Sequence, residues 1–369
     1  MSLWSRAKRI GERIGLLDAV PPGLPPGARP PRHVFRWDLD KTYLRTEFDS
    51  FGDLVKSAIE NAADKQAFPG APALLRALHQ DDHRICIVSG SPTQMRQVLA
   101  AKLALDGVTY DEFVLKNNLK NLLRGRFRSL RAQIPYKLPA MLRSRLGATA
   151  AAETLFGDDA EADAVIYCLY ADLVADRVSQ ADLERVLIAA RTYPDDAEHI
   201  LDLARRVPRG EVVRRVFIHL DRKSPPGGFR TFGPRLVPVF NYFQIALVLF
   251  GDGVLSARQV LFVGLEMLDS GQYDRSTLAN SMQDLMRRGR MDRDTGLRLV
   301  AEAKEAAASG ALTGHRELPP FDQIAEEFRK RIRELGTPEP EPFDEGPLDY
   351  VRLVDEEHDR RRERRRHGH

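Results

Sequence analysis

The run His33-Val34-Phe35-Arg36-Trp37, followed by Asp38-Leu39-Asp40-Lys41-Thr42, is the stretch that decides the fold of this chain. The first five residues favour a β-strand, and the next five place two carboxylates two positions apart. Side chains of an extended segment alternate between its two faces, so Asp38 and Asp40 point the same way. An Asp-x-Asp pair is also common at solvated turns, and its meaning therefore depends on the sequence downstream.

Short apolar runs alternate with helical sequence after this stretch. Further strands are predicted over residues 85–88, 112–115, 154–156 and 213–220. Helices are predicted over residues 51–63 and 72–79, and a third begins with Ser91 as its N-cap and Pro92 as its first residue. The alternation predicts an α/β fold: a Rossmann-like parallel sheet with helices on both faces, which binds ligands at the carboxyl ends of its strands.

Composition shifts divide the chain into four predicted regions. The apolar run from Leu236 to Leu249 is too short to span a bilayer of about 30 Å, so it is predicted to be a buried core helix. The regions are residues 1–32, a basic amphipathic helix with a proline-rich linker; residues 33–223, the α/β domain; residues 224–335, a helical C-terminal domain; and residues 336–369, a charged tail predicted to be disordered.

Composition and charge restrict the class of protein. The chain has 369 residues, 43% of them hydrophobic, and a net charge of +3, which gives no global reason to expect nucleic acid as a partner. Cys86 and Cys168 lie in apolar runs, as buried thiols do in a reducing compartment. The first residues lack the apolar stretch of a secretory signal. A cytoplasmic protein is therefore expected.

Four motifs occur in order, each beside a predicted strand end or helix start. They are Asp38-x-Asp40-x-Thr42; Ser89-Gly90-Ser91; Lys137, just ahead of a predicted helix; and Gly157-Asp158-Asp159, with Asp163 further on. Ser89 and the backbone N–H groups at Gly90 are suited to bind an anion at a helix start. Lys116 and Lys120 are the alternatives to Lys137, which lies closer to the fourth strand.

This order of motifs resembles the haloacid dehalogenase-like hydrolase superfamily over residues 33–223. Within it, the App1-like phosphatidate phosphatase catalytic domain is similar in its short segment between the first two motifs, its Ser-Gly-Ser-Pro second motif and its Asp-rich fourth motif. Arg36 departs from the usual apolar first strand, and predicts that one face of that strand is exposed or salt-bridged.

The chemistry of the residues and the resemblance assign the same roles. Asp38 would attack the phosphoryl group to form an aspartyl-phosphate, and Asp40 would act as general acid and then base. Ser89 and Lys137 would hold the phosphoryl oxygens. The candidate ligands of Mg²⁺ are Asp38, the backbone carbonyl of Asp40, Asp158 or Asp159, and Asp163, for which a charge at a helix N-terminus is the alternative.

The remaining candidates concern the substrate. Thr42 is expected to shape the loop, and Arg126, within the basic residues 124–128, is either part of a solvated helix face or a basic lip for an anionic substrate. The expected substrate is a phosphate monoester, either a phosphorylated small molecule or a lipid headgroup such as that of phosphatidate. The basic N-terminal helix would then contact the membrane surface.

Two other functions stay open. One is a non-catalytic interaction protein on the same scaffold, although the presence of every motif residue argues against it. The other is a polynucleotide end phosphatase, suggested only by the arginine clusters.

Overall fold

A parallel six-stranded sheet is the centre of the computed structural model, which describes residues 29–45, 66–116, 130–147, 149–308, 321–336, 342–344 and 346–366. The strand order is β3-β2-β1-β4-β5-β6, and each strand runs parallel to its neighbours. The strands are β1 (His33–Asp38), β2 (His83–Pro92), β3 (Glu112–Lys116), β4 (Ala152–Asp158), β5 (Val213–His219) and β6 (Leu236–Val239). The first five match the strands predicted from the sequence.

Helices cover both faces of this sheet. Those of the described residues are α1 (Ala71–Leu78), α2 (Arg96–Leu105), α3 (Leu130–Gly147), α4 (Asp163–Val174), α5 (Gln180–Ala189), α6 (Pro194–Arg206), α7 (Tyr242–Gly251), α8 (Ala257–Asp269), α9 (Arg275–Arg287), α10 (Arg293–Ala308), α11 (Phe321–Glu334) and α12 (Tyr350–Arg366). Trp37 and Phe156 share one apolar core with α1, α2 and α7 to α11. Leu155 and Val216 share the other core with α3 to α6 and α12. The predicted α/β fold with a C-terminal helical region is confirmed.

The strand register sets the place of the site. All six residues of β1 are buried, as in a strand covered on both faces, and β1 lies between β2 and β4. Asp38 and Asp158 are the last residues of β1 and β4, and Ser89 follows Val88, the partner of Asp38 on β2. The carboxyl ends of neighbouring parallel strands thus bring these groups to one edge of the sheet.

Arg36 belongs to a buried ionic network on the side of β1 opposite Trp37. Its Nε lies 2.9 Å from Glu153 on β4, and Arg145 from α3 lies 2.7 Å from the other oxygen of that carboxylate. Tyr170 also donates a hydrogen bond to Glu153, at 2.7 Å. The departure from an apolar strand therefore corresponds to a salt-bridged face, and that face is buried.

The run from Leu236 to Leu249 is divided between two elements, so the helix predicted there forms only over its second part. Its first four residues form β6, which pairs with β5, and the chain then turns into α7. Asn241 caps α7 by accepting a hydrogen bond from the backbone N–H of Gln244. The sheet also continues past the predicted domain boundary at residue 223, because β6 belongs to it. No helix among the described residues is long and apolar enough to cross a membrane.

The C-terminal segment forms a helix where the sequence predicted disorder. In α12, Tyr350, Leu353 and Val354 fall on one face and are buried against the second core. The hydroxyl of Tyr350 donates a hydrogen bond to Asp172 on α4, at 2.5 Å. The high charge of this segment hid its short apolar stripe. The predicted N-terminal helix and the helix over residues 51–63 lie outside the described residues.

Candidate active site

Three buried carboxylates converge where β1 and β4 end. They belong to Asp38, Asp158 and Asp163, the last being the first residue of α4. One oxygen of each lies within 4.8 Å of an oxygen of the others, and none of the three residues is more than 1% exposed. This carboxylate triad contains three of the five metal ligands predicted from the sequence.

Backbone geometry after β4 orients two members of the triad. Asp158 accepts hydrogen bonds from the N–H groups of Ala160 and Glu161, at 2.6 and 3.0 Å. Asp163 in turn accepts one from the N–H of Asp158, at 3.2 Å. A β-carbon at Gly157 would lie 2.4 Å from an oxygen of Asp163, so this close approach requires glycine. The Gly-Asp turn is therefore built to hold Asp163 against the strand end.

Lys137 contacts two of the triad carboxylates. It lies within α3, not ahead of it as predicted, and is 1% exposed. Its Nζ lies 3.1 Å from Asp38, 2.5 Å from Asp163 and 2.9 Å from Glu161. Burial alone would lower the pKa of Lys137, but these carboxylates raise it well above its ordinary value. Lys137 is therefore a fixed positive charge at the site.

One lysine does not balance the carboxylates around it. Burial raises the pKa of Asp38, Asp158 and Asp163, and their mutual repulsion together with that of Glu161 adds to this effect, whereas Lys137 opposes it. Buried carboxylates are stable as anions when a cation compensates their charge. Three oxygen donors within reach of one another suit a hard divalent cation, so the triad fits a metal site.

Asp40 is held by two serines at the end of β2. Its carboxylate accepts a hydrogen bond from Ser89 at 2.8 Å and from Ser91 at 2.9 Å. Burial raises the pKa of Asp40, and the two serine hydroxyls partly offset the rise. The prediction of Ser91 as a helix N-cap is wrong, because β2 continues to Pro92 and α2 begins only at Arg96. The hydroxyl of Ser91 is thereby free to bind Asp40.

Thr42 and Tyr136 make hydrogen bonds with residues at the strand ends around the site. The hydroxyl of Thr42 lies 3.3 Å from Asp38 and 3.4 Å from Asp158, which fits the predicted role in loop shape. Tyr136, next to Lys137 on α3, donates hydrogen bonds to the backbone carbonyls of Ser89 and Val114. These contacts link the first motif to the fourth, and the second motif to the segment that carries Lys137.

Asp159 lies outside the carboxylate triad. Its two oxygens accept hydrogen bonds from the backbone N–H groups of Arg222 and Ser224, at 2.8 and 3.0 Å. Lys223, between them, has a left-handed backbone with φ of 58°. Asp159 therefore positions the loop after β5, which carries two exposed cations to the edge of the site.

The remaining site residues predicted from the sequence are Gly90, Arg126 and the alternatives to Lys137. Gly90 is exposed at the end of β2, with open space around it. Arg126 and Lys120 lie outside the described residues, as does the side chain of Lys116. Sequence reasoning missed Glu161 as a partner of Lys137, and its only signal was its place inside the acidic run between Asp158 and Asp163. It also missed Tyr136 as a contact of the site, and it placed Ser91 in the second motif without assigning its contact with Asp40.

We expect Gly157→Ala to lower the phosphate-ester hydrolysis predicted from the sequence about a hundredfold, because the added methyl group displaces Asp163 from the triad and small misplacements at a reacting centre are costly. Initial rates with Mg²⁺ and a far-UV circular dichroism spectrum test this. The matched control is Gly228→Ala, whose β-carbon would meet no atom within 4 Å. Full activity of Gly157→Ala would contradict the placement of Asp163.

Comparison with known proteins shows which family the segment that carries this site is similar to. Residues 37–183 match a family described as the catalytic domain of the phosphatidate phosphatase APP1, and this segment includes every side chain of the site described above except the loop after β5. This part of the chain is therefore similar to a phosphatase catalytic domain of the haloacid dehalogenase-like superfamily. No curated protein and no solved structure matches the chain significantly.

Proposed function

We propose that this protein hydrolyses a phosphate monoester through an aspartyl-phosphate on Asp38, with Mg²⁺ held by Asp38, Asp158 and Asp163. The observation that carries the proposal is that Asp38 lies 3.1 Å from the buried Lys137 and that one of its oxygens is within 4.8 Å of oxygens of two further buried carboxylates. A bound Mg²⁺ would withdraw charge from the phosphoryl oxygens. The backbone carbonyl of Asp40 remains a candidate further ligand.

The first chemical step forms a bond between an Asp38 oxygen and phosphorus while the ester P–O bond breaks. Lys137 is placed to compensate the negative charge of the transferring group. Asp40 gives a proton to the leaving oxygen, a task for which a carboxyl of raised pKa is suited. Ser89 and Ser91 orient that carboxyl.

The second step hydrolyses the acyl phosphate. Asp40, now deprotonated, removes a proton from water, and the water oxygen forms a bond to phosphorus as the Asp38–phosphorus bond breaks. Inorganic phosphate leaves, and both carboxyl groups return to their starting states. The same aspartate thus serves each half of the cycle with opposite proton transfers.

The substrate that we propose is a phospholipid with a terminal phosphate, such as phosphatidate. The name of the matched family supports this, and so does an exposed aromatic side chain at the site edge of the sheet. Phe240 follows the last residue of β6 and is 42% exposed, with the guanidinium of Arg288 5.8 Å from its ring centroid. An apolar ring beside a cation suits the boundary between acyl chain and headgroup.

The test is phosphate release from phosphatidate in vesicles, an aryl phosphate, and DNA with 3′- or 5′-phosphate ends. We expect turnover with Mg²⁺, none with EDTA, and the highest rate on phosphatidate. No turnover on any ester would refute the proposal, and turnover of DNA ends alone would refute the lipid substrate.

A matched pair of variants isolates the lipid contact. We expect Phe240→Ser to lower turnover of phosphatidate in vesicles about tenfold, and that of the aryl phosphate less, because it loses apolar contact with the acyl chains. Leu105→Ser is the control, since Leu105 is 67% exposed but ends α2, which runs from the end of β2 back toward the start of β3, away from the strand ends that carry the site.

A further inference from the structure

A pocket of about 520 Å³, here called the amino-edge pocket, lies at the amino-terminal edge of the sheet. It is lined by residues at or near the starts of β1, β2, β4 and β5, including Arg32, His33, His83, Ala152, Arg214 and Arg215. β1 runs from this pocket to Asp38, five residues on, a span of about 17 Å. The pocket is therefore separate from the active site.

The walls of this pocket carry more positive than negative charge. Arg215 is neutralised by a bidentate pair with Asp252, with both distances 2.7 Å. Arg32 and Arg214 are exposed, and neither has a carboxylate partner within the part of the chain that the structure describes. Asp82, 3.7 Å from His83, is a further acid nearby, so the cationic groups remain in excess.

Burial and the excess of positive charge lower the pKa of two groups near Arg215, His33 and Arg290. Burial lowers the pKa of His33 to about 4, and His83, Arg214 and Arg32 add to the effect against the opposing charge of Glu153. The ring of His33 stacks on Phe35 and bonds to Thr154, so it is held facing these charges.

The neighbouring cavity repeats the pattern. This cavity has a volume of about 890 Å³ and shares Arg215 and Asp252 with the amino-edge pocket. Burial, with Arg288 and Arg215 nearby, lowers the pKa of Arg290 to about 10. In the described part of the chain, Arg290 contacts a backbone carbonyl and the ring of Phe343 but no carboxylate.

We propose that the pocket between Arg32 and Arg214 binds a phosphate-bearing anion at a site distinct from the active site. Guanidinium groups match the geometry of phosphate oxygens and bind them through two parallel hydrogen bonds. The volume suits a small phosphorylated molecule. The negative charge of such a ligand would compensate the excess positive charge of the arginines around His33.

The test uses the full chain, without metal, titrated with inorganic pyrophosphate. Under these conditions the carboxylates around Asp38 repel the probe from the active site. Calorimetry gives the affinity, and NMR of the His33 ring gives a readout that binding elsewhere would not move. The variants are Arg32→Gln/Arg214→Gln and, as the control, Arg185→Gln, which removes an arginine 70% exposed on α5.

We expect binding to the wild type and to the control, weakened about tenfold or more in the double variant. The pKa of His33 should rise on binding, because the ligand is an anion. Equal affinity of the double variant and the wild type would overturn the proposal, as would the absence of binding with an unchanged His33.

The same phosphate chemistry has two sources, a soluble anion or a lipid headgroup. Vesicles of phosphatidylcholine, with and without phosphatidate, separate them in a sedimentation assay. Phosphatidate-dependent sedimentation that is lost in the double variant identifies the headgroup. Pyrophosphate binding without sedimentation identifies the soluble anion. Either result supports the site independently of whether the protein hydrolyses phosphatidate.

Discussion

Asp38→Asn is expected to lower phosphate release from an aryl phosphate at least about a thousandfold, because a carboxamide is a poor nucleophile and forms no aspartyl-phosphate. The change keeps the size of the side chain and its contact with Thr42. It also removes one of the carboxylates that repel each other around Lys137. We therefore expect the thermal stability to be maintained or raised while activity is lost, as happens where a site is arranged for function.

The control for this variant is Asp202→Asn, which alters an exposed carboxylate on α6. Initial rates with Mg²⁺, together with the melting temperature, separate loss of chemistry from loss of folding. Activity of Asp38→Asn within tenfold of the wild type would rule out Asp38 as the nucleophile. Incubation with substrate followed by acid quenching and phosphate analysis of the protein should label the wild type alone.

Glu153→Ala is expected to lower the free energy of unfolding by about 3 to 5 kcal/mol, the largest effect on stability that we predict. Glu153 is fully buried, and it is the shared partner of Arg36 and Arg145. Removing it leaves two buried cations, Arg36 with the hydroxyl of Ser144 and Arg145 with the backbone carbonyl of Pro208 as remaining hydrogen-bond partners. Urea unfolding followed by circular dichroism measures the loss.

Two comparisons give this result its meaning. Glu356→Ala removes an exposed partner of Arg352 and should change the unfolding free energy little, since exposed ion pairs contribute little. Glu153→Gln keeps the volume but not the charge, and should fall between the wild type and Glu153→Ala. Wild-type stability of Glu153→Ala would show that the network is dispensable.

The same carboxylate gives the fold a defined acid sensitivity. Burial alone would raise the pKa of Glu153, but Arg36 and Arg145 outweigh it and lower the pKa below the ordinary 4.5. As the pH falls, the unfolded chain therefore takes up this proton before the folded chain does. The stability that Glu153 contributes is present above about pH 4.5 and is lost below it, a dependence that Glu153→Gln should weaken.

The strand ends were predictable because they depend on local pattern. Apolar runs alternating with helical sequence specify a parallel sheet, and such a sheet gathers its strand-end residues at one edge. Asp38, Asp158 and Ser89 meet for this reason. Lys137 was identifiable from motif order, although its contacts with Asp38 and Asp163 depend on how α3 packs.

Local sequence pattern did not predict which of two adjacent aspartates would join the carboxylate triad. Asp158 and Asp159 are the same residue type, and only their surroundings in the fold distinguish them. Asp159 accepts hydrogen bonds from backbone N–H groups of the loop after β5 and therefore does not join the triad. Ser91 was misplaced because its helix signal, the following proline, also occurs at the end of a strand. Distances along the chain of about 60 residues separate Asp159 from its partners, beyond the reach of local pattern.

Uniform composition hid two further elements. Leu236 to Leu249 is mostly apolar, and periodicity does not distinguish a short buried strand from a buried helix in such a run. In α12 the opposite happened, because charge dominates and the few apolar residues contact the core only through tertiary packing. Each error comes from a segment whose neighbours in space, not in sequence, determine its state.

The residue before the nucleophile gives the active site a natural optical signal. Trp37 stacks on Phe156 with a centroid distance of 4.0 Å and on Tyr242 at 6.1 Å, and the chain has only one other tryptophan. Because its indole is buried one residue from Asp38, its fluorescence should respond when charge or packing at the site changes. Ligand binding and turnover can thus be followed in the unlabelled protein, with Trp4→Phe as the background that leaves a single emitter.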